Sequence, residues 1–259
     1  MRWSAAAALA ATVAVVSSCA GGKDTARDSS ALPNTTASAS DSSQRNERAD
    51  AMSGAAASQG DAAADSAHRG APAFLIVGTS LTAGLGLDPN DAYPAVLQRK
   101  ADSAGYRVRV VNAGLSGETS AGALRRMEWL LREPAAGVMI ETGANDGLRG
   151  LDVDSTRANL VAIVRLVKRA LPGAAILLAQ MEAPPNLGAD YTRRFHDNYG
   201  VVARDEGVTL LPFLLDGVAG VKGMNQADGI HPTVEGAKKV ASTLWPVLGP
   251  VLSRLAKGS

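Results

Sequence analysis

From Ala71 onward, short unbroken apolar runs alternate with longer stretches in which apolar residues recur every three or four positions. The runs Ala73–Val77, Val108–Val111, Gly137–Glu141, Ala175–Ala179 and Val208–Leu211 are short and lack the polar alternation of a half-wet strand. They read as strands buried on both faces. The stretches Ala92–Ala104, Ser120–Arg132, Ser155–Ala170, Tyr191–Glu206 and Thr233–Leu255 carry the helical period. Gly105, Pro134, Leu171-Pro172-Gly173 and Gly207 stop the first four, and Pro246 predicts a bend in the last. Buried strands alternating with helices predict a parallel sheet with right-handed crossovers. The expected fold over residues 71–259 is therefore a three-layer α/β/α sandwich on a mostly parallel five-stranded sheet, large enough for one core.

The pattern stops upstream of Ala71. Residues 20–70 hold no Phe, Trp or Tyr, and Leu32 and Met52 are their only large apolar side chains. Such a stretch buries too little apolar surface to offset its ordering entropy and reads as a disordered tether. Before it, Met1-Arg2 opens a basic segment and Ala5 to Val16 is an apolar stretch too short to span a membrane comfortably. Residues 1–19 thus read as an export signal. Val16-Ser17-Ser18-Cys19 resembles the bacterial lipobox, whose cysteine is lipidated and becomes the mature N-terminus. Cleavage as an ordinary secretory signal, after Ala20, is the alternative.

Composition adds two constraints. The formal net charge is +1, which argues against a nucleic-acid partner. The single cysteine, Cys19, excludes an internal disulfide. No His/Cys/Asp cluster has metal-ligand spacing and no glycine-rich loop has the phosphate-binding form, so neither a metal nor a cofactor is expected. Oligomeric state is not encoded in any pattern here.

Four fragments carry the candidate chemistry: Gly78-Thr79-Ser80-Leu81, Asn112 to Gly117, Gly143-Ala144-Asn145-Asp146, and Asp228-Gly229-Ile230-His231-Pro232. The first three directly follow expected strands, and the fourth precedes the last helix. In open α/β sheets ligands bind beyond the carboxyl ends of the strands, so the four converge on one rim. Ser80 is the candidate nucleophile, which needs a neighbouring base. Of the three histidines, His68 falls in the tether and His196 on a helix, where an ordinary surface role is expected. His231 stands in a Gly- and Pro-framed turn and is the candidate base. Asp228, three residues earlier, reaches the same imidazole. Gly117, through its backbone N–H, and Asn145, through its side-chain amide, are candidate oxyanion donors beside Ser80. Taken singly, each fragment also reads as a plain turn. Arg125-Arg126 and Arg193-Arg194 read as solvated helix faces, and Trp129 and Trp245 as core residues.

Together and in this order, the fragments resemble the four blocks of the SGNH hydrolases, or GDSL esterases/lipases. The likeness spans nearly all of Ala71–Gly249 and is strongest to the bacterial acyl-CoA thioesterase/lysophospholipase I (arylesterase) branch, in Asn112 to Ser120, Glu141 to Gly150, Leu210 to Leu214 and Asp228 to Pro232. The resemblance implies a flavodoxin-like fold and hydrolysis of acyl esters or thioesters, such as lysophospholipids, through an acyl-enzyme on Ser80. It also implies an acyl site bordered by Asp146–Leu151 and Met181–Leu187. An O-acetyl esterase acting on carbohydrate or peptidoglycan uses the same site, and a non-catalytic binding lipoprotein is the reading from another class. Thr79 departs from the family, which usually has Asp before the nucleophile. A threonine supplies local hydrogen bonds but no charge.

Overall fold

A computed structural model of the chain describes residues 68–258. The export signal, Cys19 and nearly all of the tether lie outside the described residues. The strands are β1 (Ala73–Gly78), β2 (Arg109–Gly114), β3 (Gly137–Ile140), β4 (Ala175–Gln180) and β5 (Thr209–Phe213). They form one sheet in the order β2-β1-β3-β4-β5, and every neighbouring pair is parallel. This is the doubly wound order, with its switch point between β1 and β3. β1 and β3 are fully buried, as their apolar runs require, while β2 and β5 lie half-open at the edges. Pro212 falls in edge strand β5, where a missing N–H is tolerated.

The helices are α1 (Ser80–Ala83), α2 (Tyr93–Ser103), α3 (Ser120–Leu130), α4 (Ala144–Leu148), α5 (Val153–Ala170), α6 (Ala189–Asp205) and α7 (Val234–Lys257). α2 packs with α7, and α5 packs between α3 and α6, which gives the two outer layers. The core is continuous across the sheet and includes Phe74, Ile76, Met139, Ile163, Leu177, Phe195 and Leu244. Thr119 caps α3 and Asp152 caps α5, each accepting a backbone N–H of the first turn. α7 runs uninterrupted through Pro246 and Pro250. None of the helices is long and apolar enough to cross a membrane among the described residues.

Three readings need correction. Trp129 is 64% exposed on α3 rather than in the core, whereas Trp245 is half-buried, stacked on Tyr106 with the Lys100 ammonium over its ring. Arg126 does not belong to a solvated face, as shown below. His68 is held in place: it lies 3.4 Å from Asp102 and 3.3 Å from Gln98, and its carbonyl accepts the N–H of Ala71. Composition marks where apolar residues begin, but it does not register a polar turn that docks onto a helix.

Candidate active site

The sheet brings the four fragments together as its topology demands. β1 ends at Gly78 and the chain turns at once into α1, a single turn capped by the Thr79 hydroxyl and closed by Gly84 in the left-handed region. Gly78 is required by space: a Cβ there would stand 1.9 Å from Thr82 Oγ1 and 2.6 Å from a Glu141 oxygen. Ser80 therefore sits at the first position of α1, where its amide has no intrahelical partner.

His231 reaches Ser80 from the other end of the chain. Its Nε2 lies 2.8 Å from Ser80 Oγ, and its Nδ1 lies 2.6 Å from Asp228 Oδ2. The carboxylate accepts from Nδ1–H, which leaves Nε2 to accept the serine proton. Asp228 Oδ1 accepts the backbone N–H of Ile230 (2.9 Å) and of His231 (3.0 Å), so one side chain sets both the turn and the imidazole. These bonds, the imidazole's first among them, hold the Asp228 carboxyl down at about 2. Gln226 fastens the loop: its N–H donates to His231 O, and its amide donates to Leu85 O beyond α1 and to Pro232 O.

The oxyanion candidates come from the next two loops. Gly117 adopts φ +76°, a region glycine enters freely, and its carbonyl accepts from Arg149 at 3.0 Å. Asn145 opens α4, and its amide donates to Glu118 O at 2.9 Å, leaving the second hydrogen of that NH₂ group. α4 was expected as loop, because Asn145-Asp146-Gly147 reads as a plain turn. Tertiary bonds stabilise it. Asp146, buried, accepts from the Ser120 amide (2.8 Å) and hydroxyl, and Tyr191 donates to Leu151 O at 2.7 Å.

Two further groups tie the loops together, and the spacing did not reveal either. Arg126 forks onto buried Glu118 (Nε to Oε1 2.6 Å, Nη2 to Oε2 2.7 Å) and also donates to Ala113 O and Gly78 O. It thereby joins the loop bearing Gly117 to the end of β1. Beneath Ser80, Glu141 lies fully buried at the end of β3. Its carboxylate accepts from the Thr79 amide (2.8 Å), the Thr79 hydroxyl (3.0 and 3.1 Å) and the Thr82 hydroxyl (2.7 Å). Burial raises this carboxyl to about 7, against the four threonine bonds that favour its charged form. His196 stands apart on α6, paired with Glu182 at 2.6 Å and remote in role from the site.

Apolar side chains are exposed along the rim. Leu85, Leu115, Leu148, Leu151 and Ile230, between 38% and 51% exposed, lie on the segments that follow β1, β2 and β3 or on the loop that carries His231. The Asp146–Leu151 and Met181–Leu187 segments abut: a Cβ at Gly147 would lie 3.3 Å from Ala183, and one at Gly150 would lie 3.4 Å from Leu187. A groove of about 500 Å³ runs from Gly117 past Arg125 and Arg149.

Comparison with known proteins places the chain among known hydrolases. The GDSL-like lipase/acylhydrolase family matches residues 76–239. Esterase TesA of Pseudomonas aeruginosa is 45% identical over 183 residues, 70% of this chain and 90% of that protein. Thioesterase 1/protease 1/lysophospholipase L1 of Escherichia coli K12 is 36% identical over 184 residues, 71% of this chain and 86% of that protein. The crystal structure of the psychrotrophic esterase EstA from a Pseudoalteromonas species, inhibited by monoethylphosphonate, superposes with a TM-score of 0.66 at 33% identity, covering 70% of this chain and 98% of its own.

Proposed function

This chain belongs to the GDSL-like lipase/acylhydrolase family, and we propose that Ser80, His231 and Asp228 carry its ester hydrolysis through an acyl-enzyme. It is a hydrolase of the esterase, thioesterase and lysophospholipase group. The observation that carries the mechanism is the unbroken series from Asp228 through His231 to Ser80, at 2.6 and 2.8 Å.

Ser80 Oγ attacks the acyl carbonyl while His231 Nε2 takes its proton. The oxyanion of the tetrahedral intermediate is met by the N–H groups of Ser80 and Gly117 and by the free amide hydrogen of Asn145. Asp228 stabilises the imidazolium. His231 then protonates the departing alcohol or thiol, and the acyl group stays on Ser80. A water molecule that gives its proton to His231 attacks this ester, and the acid leaves as Ser80 regains its hydrogen. No step calls for a cofactor. EstA's inhibition by a phosphonate supports the reading, because a tetrahedral phosphorus mimics such an intermediate.

The substrate is an acyl ester or thioester with an apolar chain, such as a lysophospholipid, rather than a polar acetylated glycan. The exposed leucines around the rim favour this, with Leu148 and Leu151 as the surface along which the chain lies. Thr79, the feature that suggested a non-catalytic lipoprotein, has a place in the site through Glu141, which removes that support. Residues 1–19 direct export, Cys19 carries the lipid, and residues 20–70 tether the hydrolase domain, residues 71–259, to the membrane surface.

Hydrolysis of p-nitrophenyl acetate, octanoate and palmitate by the protein and by Ser80→Ala tests the chemistry. The octanoate is expected to exceed the acetate in kcat/KM, and Ser80→Ala to abolish both. Activity confined to acetate contradicts the substrate class. Mass spectrometry of the mature N-terminus is expected to show acyl groups on Cys19; an unmodified N-terminus contradicts the anchor.

A further inference from the structure

The buried acid beneath the nucleophile has no role in the mechanism just given, yet every donor around it is aimed at it. Thr79 offers its amide and hydroxyl, and Thr82 offers its hydroxyl. Thr82 Oγ1 also lies 2.7 Å from Tyr93 OH, so when it donates to Glu141 it accepts from the phenol. The series Tyr93 to Thr82 to Glu141, with Thr79 from the other side, suits a carboxylate that accepts on both oxygens, which is the ionised form. A protonated Glu141 keeps the Thr79 amide and the Thr82 hydroxyl on Oε2, but its Oε1–H must then face Thr79 Oγ1, which already accepts the Leu81 N–H at 3.4 Å and would have to turn its own hydrogen away. The residues it grips are the two that flank Ser80-Leu81, so its charge state sets the turn that presents Ser80.

Among the described residues, the groups facing Glu141 carry no positive charge. They are Thr79 and Thr82 on the turn, Tyr93 on α2, and more distantly Tyr199 on α6, whose phenol donates to Thr142 O. Arg126 donates to Gly78 O, one residue away from Thr79, but its charge is matched by Glu118. The carboxylate is thus held by hydrogen bonds from Thr79 and Thr82, with Tyr93 bonded behind Thr82. With threonine at position 79, it is also the sole acid hydrogen-bonded to the turn among the described residues.

We propose that Glu141 is a positioning residue for catalysis: ionised, it fixes the Thr79–Thr82 turn and aligns Ser80 with His231, and its protonation releases that turn. Turnover then falls on acidification by two protons, one on the imidazole and one on Glu141, instead of the single proton of a simple serine–histidine pair. The raised affinity of this buried carboxyl for a proton brings the second event into the working range. The proposal rests on Ser80 being the nucleophile.

The test is the pH dependence of kcat/KM and kcat for p-nitrophenyl butyrate, with fluorophosphonate labelling of Ser80 followed in parallel. The full protein, Glu141→Gln and Thr79→Asp are compared between pH 5 and pH 9. The amide of Glu141→Gln offers donors where the carboxylate accepted, and so imitates the protonated acid at every pH. Its kcat is expected to be about tenfold or more below the parent at pH 8.5, with KM changed less than about threefold. The two profiles should converge near pH 5.5, and the limb should become one-proton. A constant deficit at all pH values marks a merely structural defect and overturns the proposal, as does a one-proton limb in the parent. Thr79→Asp gives an independent reading should Glu141→Gln fail to fold. It places a second carboxyl against the first, so the pair shares a proton and keeps one negative charge to lower pH. The acidic limb is then expected to move down by about one pH unit; an unmoved limb counts against the proposal. Failure of the parent to label at Ser80 defeats the reading of function itself, and labelling without the two-proton limb defeats only the role of Glu141.

Discussion

Ser80 stands above an acid that solvent does not reach, whereas His231 hangs in a loop whose own acid is 44% exposed. The two halves of the proposed catalytic pair are fixed by different physics. Ser80 is held from below by contacts far apart in sequence, such as Thr79 with Glu141 across 62 residues and Arg126 with Gly78 across 48. His231 is held mainly within its own turn, by Asp228 three residues away and by Gln226, which also pins the loop to Leu85 O. Damage on the buried side should therefore reach stability as well as rate. Damage on the exposed side should reach rate alone.

The largest effect expected is on the exposed side. Asp228→Asn keeps the oxygen that accepts from Ile230 and His231 but no longer stabilises the imidazolium, so kcat should fall by about 10³–10⁴. Its urea midpoint should move little, because the side chain is solvated and the turn survives. A large loss of stability would break the comparison. Next comes Arg126→Ala on the buried side. It leaves Glu118, 4% exposed, without its cation, and should cost about 3–5 kcal/mol in unfolding free energy. The same change should lower kcat by loosening the loop that bears Gly117. Asn145→Ala lies between the two halves and should lower kcat about 10²–10³-fold with a smaller loss of stability.

The smallest and most particular effect concerns pH and stability. Glu141 binds its proton more tightly folded than unfolded, at about 7 against the ordinary 4.5. The folded state thus holds more protons between those values. Stability from this group is greatest below 4.5, falls as pH rises toward 7, and stays low above it, by about 3 kcal/mol. Urea unfolding of Glu141→Gln against the parent at pH 5 and pH 8 should show the variant gaining about 2.5 kcal/mol on going to pH 8. An equal difference at both pH values would remove the buried charge from the account. Asp228 behaves oppositely. Its lowered carboxyl gives stability that is present above the ordinary range and is lost only as the pH falls toward 2, so it adds nothing to an acidic limb near neutrality.

The same contrast explains what the sequence disclosed. β1 and β3 were legible because both faces are buried, so they are continuous apolar runs, whereas β2 and β5, read the same way, lie half-open at the edges. The Asp228–His231 pair was legible because its contact is local. Ser80, Gly117 and Asn145 were legible as turn residues after strands, and the parallel topology did the rest. Glu141 was counted as the last residue of a strand, because nothing in a one-dimensional pattern shows which side chain a carboxylate will meet 62 residues away. Arg126 was read as surface for the same reason: its partner Glu118 lies in the preceding loop, outside the helical register that makes neighbours on one face. Helix α4 was hidden by its glycines, and its support comes from Ser120 and Tyr191 on other elements.

The central claim is that Ser80 is a nucleophile activated by His231. Intact-protein and peptide mass spectrometry after treatment with a fluorophosphonate tests it directly. One phosphonyl group is predicted on Ser80 of the parent, none on Ser80→Ala, and labelling at least about 10³-fold slower on His231→Ala. A label on another residue, or Ser80 labelled as fast without His231, would contradict the account.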